Sequence, residues 1–243
     1  MDRREKIKRP EVIFLDVGET IFHPYPSFGE LFRTVCLEHG VDVDPREVAR
    51  SARRHMETVE EMQGKGFSFT DHPEKSREFW LGFYHSILGE LGCQGEDHIL
   101  PKALYRTFSD PSLYRPYPDV KNALDILRDL GFRLGVITNF EPWVQDLLDG
   151  WGISPYLDHV VISGLLGREK PHPAIFLEAL RMADVLPEDA LHVGDSIRSD
   201  FQGARDVGMQ AVLIDRRGSH PDFRGPRIAN LLELPDLFEG DRG

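Results

Sequence analysis

The stretch VIFLDVGETIF, from Val12 to Phe22, decides how the rest of the chain is interpreted. Its apolar beginning predicts a short buried strand, and this strand ends on a carboxylate, Asp16. A tight turn that contains Gly18 and Glu19 follows it. In open parallel sheets, ligands bind at the carboxyl ends of the strands, so Asp16 lies where a functional side chain is expected.

Four further strand-like runs occur in the second half of the chain, and helical patterns lie between them. Each run ends in small or polar residues. Strands that alternate with helices predict right-handed crossovers and a parallel sheet with helices on both faces, which is an α/β, Rossmann-like fold. The four runs are RLGVITN (133–139), HVVISG (159–164), LHVGDS (191–196) and QAVLID (210–215).

The segment from residue 24 to about residue 115 has a different texture. It contains no convincing strand, and it shows four helical patterns, which predict a helical domain inserted after the first strand. The chain is expected to return at RPYPDV (115–120), where two prolines stiffen the crossing. The predicted domains are therefore an α/β core of residues 1–23 plus 116–243 and a helical domain of residues 24–115. The predicted helices are Ser27–His39, Pro45–Met62, Lys75–Leu91 and His98–Phe108.

Composition and charge limit the partners of the protein. Among 243 residues the formal net charge is −12. Nucleic acids and anionic membranes attract Lys and Arg, so we expect neither as a partner. No apolar run reaches the ~20 residues of a membrane helix, no signal-like region follows the charged start, and the two cysteines lack metal-binding spacing. We expect a cytoplasmic monomer or homodimer that acts on a small molecule.

The polar residues at the predicted strand ends suit phosphoryl transfer. That reaction needs a nucleophile in line with phosphorus, together with cations and donors that hold the phosphoryl oxygens. Asp16 is suited to act as nucleophile and Mg²⁺ ligand, and Asp195 to supply a second carboxylate. Thr138 is able to donate to a phosphate, and Lys170 offsets the negative charge of the aspartates and the phosphate.

Four stretches resemble, in order and spacing, the four motifs of the haloacid dehalogenase-like (HAD) hydrolase superfamily. They are DVGET (16–20), VITN (136–139), EKPHPAIF (169–176) and HVGDSIRSDFQGARDVGM (192–209). The helical insert resembles the cap of subfamily IA, and nearly the whole chain is similar to the group called haloacid dehalogenase-like hydrolase domain-containing protein three. The resemblance implies a Mg²⁺-dependent phosphatase of a small phosphorylated metabolite.

The resemblance also implies roles for the residues that match the motifs. Asp16 is implied as the nucleophile, which forms an aspartyl-phosphate. Asp16, the backbone carbonyl of Gly18, and Asp195 are implied as metal ligands. Asp200 is implied either to support the metal site or to hold Lys170.

The second and third motifs imply the phosphate-binding groups. Thr138 and the amide of Asn139 are implied to bind phosphate, and Lys170 is implied to steady both nucleophile and phosphate. One departure affects the chemistry. Family phosphatases usually read Asp-x-Asp-Gly-Thr, and their second Asp protonates the leaving group and then activates water. Here Gly18 takes the place of that Asp, and Glu19 takes the place of the usual glycine.

The absence of this acid leaves several accounts open, because a general acid/base is worth about 10²–10⁴-fold in rate. Glu19 swings in as a substitute, or the enzyme serves good leaving groups or borrows a proton donor from the cap or the substrate. Alternatively, turnover is lost and a non-catalytic phosphate- and metal-binding protein remains. A metal-independent dehalogenase needs no acid at Gly18, but dehalogenases of this superfamily lack the metal carboxylate that Asp195 supplies.

Overall fold

A computed structural model describes residues 6–63, 65–93 and 99–238 of the chain. Within these residues, eight strands form two sheets, and nine α-helices accompany them. The strands β1 to β8 are Val12–Leu15, Phe22–Pro24, Tyr114–Pro116, Arg133–Thr138, His159–Ile162, Ala190–Gly194, Gln210–Ile214 and Arg227–Ile228. The helices α1 to α9 are Phe28–Glu38, Pro45–Gln63, Pro73–Glu90, Ile99–Phe108, Val120–Asp129, Val144–Gly150, Ser163–Leu166, Pro173–Ala183 and Gly203–Asp206.

The larger sheet has six parallel strands in the order β5-β4-β1-β6-β7-β8. β1 lies near its centre, and all four of its side chains are completely buried. Ile13 and Leu15 pack on one face of the sheet against α5 and α6. Val12 and Phe14 pack on the other face against α8. Burial on both faces explains why the sequence of β1 is a continuous apolar run and not an alternating one.

The strand register brings the carboxyl ends of β1, β4 and β6 to the same level of the sheet. Leu15, the last residue of β1, pairs with Val136 of β4 and with Val193 of β6. Asp16 therefore lies beside the ends of both neighbouring strands, where the sequence also places polar residues. The position of the site follows from this register.

The predicted α/β, Rossmann-like fold is confirmed. The five predicted runs correspond to β1, β4, β5, β6 and β7, and each run extends one or two residues beyond the observed strand. β8 was not predicted, because a strand of two residues is too short to show a period. No helix within the described residues is both long enough and apolar enough to cross a bilayer.

The helices α1 to α4 form the helical insert, defined here as residues 25–113, between β2 and β3. These two strands pair antiparallel, so the chain leaves and re-enters the core at adjacent points. The insert has its own hydrophobic cluster, in which Phe32, Val48, Ile87 and Leu104 are completely buried.

The ends of the insert differ from the prediction of a segment without strands. β2 reaches Pro24 and β3 begins at Tyr114, because these short segments pair with each other across a long stretch of chain. Such pairing leaves no pattern in three residues that include a proline. The four predicted helices correspond to α1 to α4. The predicted start of the last one, His98, lies outside the described residues.

Tight packing at Gly135 of β4 provides a test of the sheet. A Cβ atom at this position would lie 2.7 Å from the ring of Phe14 and 2.9 Å from the carbonyl oxygen of His159. We expect Gly135→Ala to lower the free energy of unfolding by about 1–3 kcal/mol, because an overpacked core must shift its side chains or backbone. Urea unfolding followed by circular dichroism measures the change.

Gly150→Ala is the matched control, because Gly150 is exposed at the end of α6 and nothing lies within 4 Å of its Cβ position. Alanine is a better helix former than glycine, so the free energy of unfolding should stay the same or rise by up to about 1 kcal/mol. Equal losses in the two variants would contradict the packing described for β4.

Candidate active site

The ammonium group of Lys170 lies among three acceptors at the carboxyl edge of the sheet, and its side chain is 2% exposed. Nζ donates to Asp16 Oδ1 at 2.6 Å, to Asp200 Oδ1 at 2.6 Å and to the carbonyl oxygen of Ile137 at 2.8 Å. These bonds use all three hydrogens of the ammonium group. Burial alone would lower the pKa of Lys170, but the two aspartates outweigh burial and raise that pKa.

Asp200 is held in place by several groups of the fold. Its Oδ1 also accepts from His192 Nε2 at 2.9 Å, and its Oδ2 accepts the backbone N–H of Ser196 at 2.9 Å. Burial opposes ionisation, yet Lys170 and His192 lower the pKa of Asp200. Burial lowers the pKa of His192. Because a carboxylate oxygen accepts, Nε2 carries the hydrogen of its bond to Asp200. A Cβ atom at Gly194 would overlap with the Asp200 carboxyl group, so only glycine fits there.

A third carboxylate, Asp195, completes an acidic cluster with Asp16 and Asp200. One oxygen atom from each of the three residues lies within 4.8 Å of the others. Burial raises the pKa of Asp195 well above its usual range, and the charges of the other two aspartates raise it further. Burial also raises the pKa of Asp16, against the opposing effect of Lys170. The cluster therefore lacks positive charge, and its oxygen atoms suit a divalent cation.

Thr138 and Asn139, at the end of β4, position the charged groups. Thr138 is completely buried, and its hydroxyl donates to Asp16 Oδ1 at 3.2 Å. The Asn139 side chain brackets the backbone of Lys170: Nδ2 donates to the carbonyl oxygen at 2.8 Å, and Oδ1 accepts the N–H at 2.6 Å. Thr138 thus orients Asp16, and Asn139 fixes Lys170. Their roles in phosphate binding stay predictions.

Gly18 and Glu19 occupy the turn after β1. A Cβ atom at Gly18 would lie 3.3 Å from Phe140 Cε2, a tight contact that a small ring shift relieves. Glu19 has a φ of 53°, in the left-handed region that favours glycine. Its Oε2 accepts hydrogen bonds from the Tyr117 hydroxyl at 2.7 Å and from Arg217 at 2.7 Å. The Glu19 carboxylate, which is one of the possible substitutes for the missing general acid, is therefore already hydrogen-bonded to Tyr117 and Arg217.

Glu169, the residue before Lys170, connects the helical insert to the core and is only 3% exposed. Its Oε1 accepts from Gln63 Nε2 at 2.8 Å. Its Oε2 accepts the backbone N–H of Phe69 at 3.0 Å, and the N–H and hydroxyl of Thr70 at 2.6 Å each. Four hydrogen bonds thus join the end of α2 and the loop after it to the residue adjacent to Lys170.

A cavity of about 450 Å³ lies between the helical insert and the carboxyl edge of the sheet. Asp16, Gly18, Lys170 and Asp195 line its polar end. Most of the remaining wall is apolar and comes from both the insert and the core. Its aromatic residues include Phe28, Trp80, Phe108, Tyr114, Phe140 and Trp143.

The order and spacing of these residues match a known family. The family model of haloacid dehalogenase-like hydrolases matches residues 10–208 of the chain. The chain therefore belongs to the haloacid dehalogenase-like hydrolase family. The family resemblance seen in the four motifs is confirmed, and the parallel sheet described above is consistent with it.

Two curated relatives narrow this likeness. The chain is 32% identical over 237 residues to the human protein named haloacid dehalogenase-like hydrolase domain-containing protein 3, and the match covers 93% of each chain. The resemblance to that group is thus confirmed. The chain is also 34% identical over 240 residues to the glyceraldehyde 3-phosphate phosphatase of Methanopyrus kandleri, and the match covers 96% of this chain and 93% of that relative.

Two solved structures have similar folds. The HAD phosphatase from Thermococcus onnurineus has a TM-score of 0.59 at 26% identity, over 98% of this chain and 100% of that one. The 2-haloacid dehalogenase from Pseudomonas syringae has a TM-score of 0.58 at 27% identity, over 95% of this chain and 97% of that one. Two enzymes with different named reactions are equally similar, so the choice of reaction must come from the site.

The structure brings together the side chains that the sequence predicts to converge at the strand ends. Asp16, Thr138, Lys170, Asp195 and Asp200 lie within one cluster. The predicted roles of nucleophile, phosphate ligand and metal ligand stay predictions. The sequence does not identify the residues that support Lys170 and Asp200, although these residues lie inside the quoted motifs. A buried residue beside a motif residue has no spacing signal of its own. The missed residues are His192 and Glu169.

The buried charges lead to a prediction about stability. We expect Lys170→Met to lower the free energy of unfolding by about 3–5 kcal/mol at pH 7, because buried carboxylates are left without their cation. In the wild type, Lys170 lowers the pKa of Asp200, so this stabilisation is present above the ordinary aspartate pKa of about 4. Without the lysine, the carboxylates take up protons more readily, so the loss should be smaller at pH 5 than at pH 7.

Urea unfolding in EDTA measures both quantities. Lys75→Met is the matched control, because exposed Lys75 lies 3.4 Å from Asp71 in a surface pair. Its removal should change the free energy of unfolding by less than about 1 kcal/mol. An equal loss in both variants, or a larger loss at pH 5 for Lys170→Met, would contradict the role given to Lys170.

Proposed function

We propose that the protein is a Mg²⁺-dependent phosphatase of a small phosphorylated metabolite, in which Asp16 is the nucleophile. The observation that carries this proposal is the buried arrangement of Lys170 between Asp16 and Asp200, with Asp195 beside them. A phosphatase named for glyceraldehyde 3-phosphate is among the relatives, which supports the same reaction class.

The acidic cluster fits Mg²⁺. Asp195 has a raised pKa because burial and two carboxylates surround it with too little positive charge. In the proposal, Asp16, Asp195 and the backbone carbonyl of Gly18 hold the ion. Both oxygens of Asp200 already accept hydrogen bonds, so Asp200 supports the site by holding Lys170. When bound, the ion neutralises charge on the phosphoryl oxygens.

The hydrogen bonds to Asp16 suggest how its two oxygens divide their tasks. Among the described residues, Lys170 and Thr138 both donate to Oδ1. Oδ2 is thus left for attack. It forms a bond to phosphorus while the bond from phosphorus to the leaving oxygen breaks, and the leaving group departs with the electron pair. Water then attacks the phosphorus of the aspartyl-phosphate, which releases phosphate and restores the Asp16 carboxylate.

The helical insert is proposed as the cap, in agreement with predicted domains of residues 1–23 plus 116–243 and residues 24–115. In this proposal, closure of the insert excludes water from the cavity and selects the substrate. The contacts of Glu169 support it, because they tie α2 and the following loop to the backbone next to Lys170. Closure of the insert would therefore act on the backbone directly beside the reacting groups.

Gly18 favours a second candidate, a non-catalytic protein that binds metal and phosphate. In this account the metal site persists, because position 18 contributes a backbone oxygen, and only the acid/base is lost. The dehalogenase reaction is less well supported, because Asp195 adds a third negative charge that attack on carbon does not need.

Phosphate release from a panel of phosphorylated metabolites and p-nitrophenyl phosphate tests the proposal, with Mg²⁺ or with EDTA. We expect release that EDTA abolishes. Asp16→Asn should lower the rate by at least about 10³-fold, because it removes the nucleophile. Asp125→Asn makes the same chemical change at an exposed position of α5 and should leave the rate unchanged.

Two results would count against the phosphatase. Release that persists in EDTA, or in Asp16→Asn, would exclude the proposed mechanism. If no substrate is hydrolysed while calorimetry shows Mg²⁺ binding that Asp195→Asn weakens, the second candidate is correct.

A further inference from the structure

A row of aromatic side chains, called the aromatic wall here, begins beside Gly18, the position at which family phosphatases usually carry their second Asp. Phe140 packs against Gly18, with its ring within 3.3 Å of the Cβ position. The ring centroids of Phe140 and Trp143 are 5.2 Å apart, and those of Trp143 and Tyr114 are 5.6 Å apart. All four residues line the cavity that contains Asp16. A leaving group bound to a phosphate at Asp16 would therefore meet rings where relatives present a carboxylate.

The aromatic wall continues into the helical insert. The Tyr114 hydroxyl donates to the carbonyl oxygen of Phe108 at 2.8 Å. The ring of Phe108 stacks on Phe28 at 4.6 Å and on Tyr84 at 5.5 Å. These residues also line the cavity. The apolar compartment is therefore continuous from Gly18 to the helices of the insert.

The Lys and Arg residues around the cavity argue against an anionic leaving group. Among the described lining residues, the Lys and Arg side chains are Lys170, Arg53 and Arg217. All three ammonium hydrogens of Lys170 are donated to buried acceptors. Arg217 forms an ion pair with Glu19 at 2.7 Å, and Arg53 is exposed. A second phosphate or a carboxylate on the substrate would thus find no uncommitted buried cation among these residues.

The size of the cavity allows a ring beside the phosphate. An apolar cavity of about 150 Å³ is enough to hold benzene. The cavity of about 450 Å³ therefore has room for a phosphoryl group at its polar end and a ring at its apolar end. A three-carbon leaving group would leave much of the apolar wall without a partner, and unfilled apolar surface forfeits binding energy.

The chemistry at Gly18 points to the same kind of substrate. A phenol has a pKa of about 10, whereas water and simple alcohols lie near 16, so a phenolate leaves without a proton donor far more readily. An enzyme that lacks the general acid loses about 10²–10⁴-fold only where protonation is needed. An aryl leaving group removes that need.

We infer that the preferred substrates are aryl phosphate monoesters, with a neutral ring held by the aromatic wall. This inference rests on the proposed phosphatase function and specifies its substrate class. Asp16 Oδ2 forms the bond to phosphorus, the bond from phosphorus to the phenolic oxygen breaks, and phenolate departs with the electron pair. It takes its proton from solvent after release, and water then cleaves the aspartyl-phosphate.

A series of three substrates separates ring fit from leaving-group acidity. Phenyl phosphate offers both, cyclohexyl phosphate offers a ring of similar size with an alcohol leaving group, and glycerol 3-phosphate offers a polar alcohol. We use kcat/KM because it reports the steps up to loss of the leaving group. It should fall by about 10²–10⁴-fold from phenyl to cyclohexyl phosphate. It should fall by a further ~10-fold or more to glycerol 3-phosphate, which lacks the apolar contact.

Restoring the acid provides the matched variant pair. Gly18→Asp should lower the ratio of kcat/KM for phenyl phosphate to kcat/KM for cyclohexyl phosphate by at least about 10-fold, because the added acid assists only the alcohol leaving group. Gly18→Asn has nearly the same volume and meets Phe140 in the same way, but it cannot donate an acidic proton, so it should not lower this ratio. Circular dichroism of both variants shows whether they are folded, and the wild-type series decides the question without them.

The outcomes distinguish this inference from the function on which it rests. If glycerol 3-phosphate or glyceraldehyde 3-phosphate has the highest kcat/KM, and Asp16→Asn abolishes that activity, the inference is overturned and the phosphatase stands. Equal kcat/KM for phenyl and cyclohexyl phosphate overturns it as well. If none of these esters releases phosphate, both the inference and the proposed function fail.

Discussion

The site depends on one buried cation, the ammonium group of Lys170. It is the point at which three parts of the chain meet: Asp16 after β1, the carbonyl of Ile137 in β4, and Asp200 in the segment after β6. Buried charges are stable only when they are paired and fully hydrogen-bonded, and every hydrogen of this ammonium group has an acceptor. The bond to Oδ1 also fixes the rotation of the Asp16 carboxyl group.

The same arrangement separates metal binding from turnover. One lysine does not balance three carboxylates, so the cluster favours a divalent cation whatever stands at position 18. In the proposed phosphatase, Gly18 affects a different function, because it has no side chain that could transfer a proton to the leaving group or from water. The aromatic wall that begins at Phe140 fills the space beside it with apolar surface. The inferred aryl leaving group would explain both the departure from the family pattern and the shape of the cavity.

Much of this could be predicted from the sequence, for physical reasons. Buried parallel strands are continuous apolar runs, and their polar ends meet at one edge, so the convergence of Asp16, Thr138 and Asp195 follows from alternation alone. The motif resemblance added Lys170 and Asp200. The supporting contacts could not be predicted, because they join residues without a shared period. Examples are Glu169 with the loop near Thr70, Glu19 with Arg217, and the pairing of β2 with β3.

The central claim is that Asp16 attacks phosphorus and carries the phosphoryl group. Without a base at Gly18, hydrolysis of that intermediate should be slow, so it should accumulate when the leaving group departs easily. Acid quenching of the protein during turnover of phenyl phosphate with Mg²⁺, followed by peptide mass spectrometry, tests this directly. The account predicts a phosphoryl group on the peptide that contains Asp16, formed in a burst that accompanies phenol release. Release of phenol and phosphate from a protein whose Asp16 never carries a phosphoryl group would contradict it.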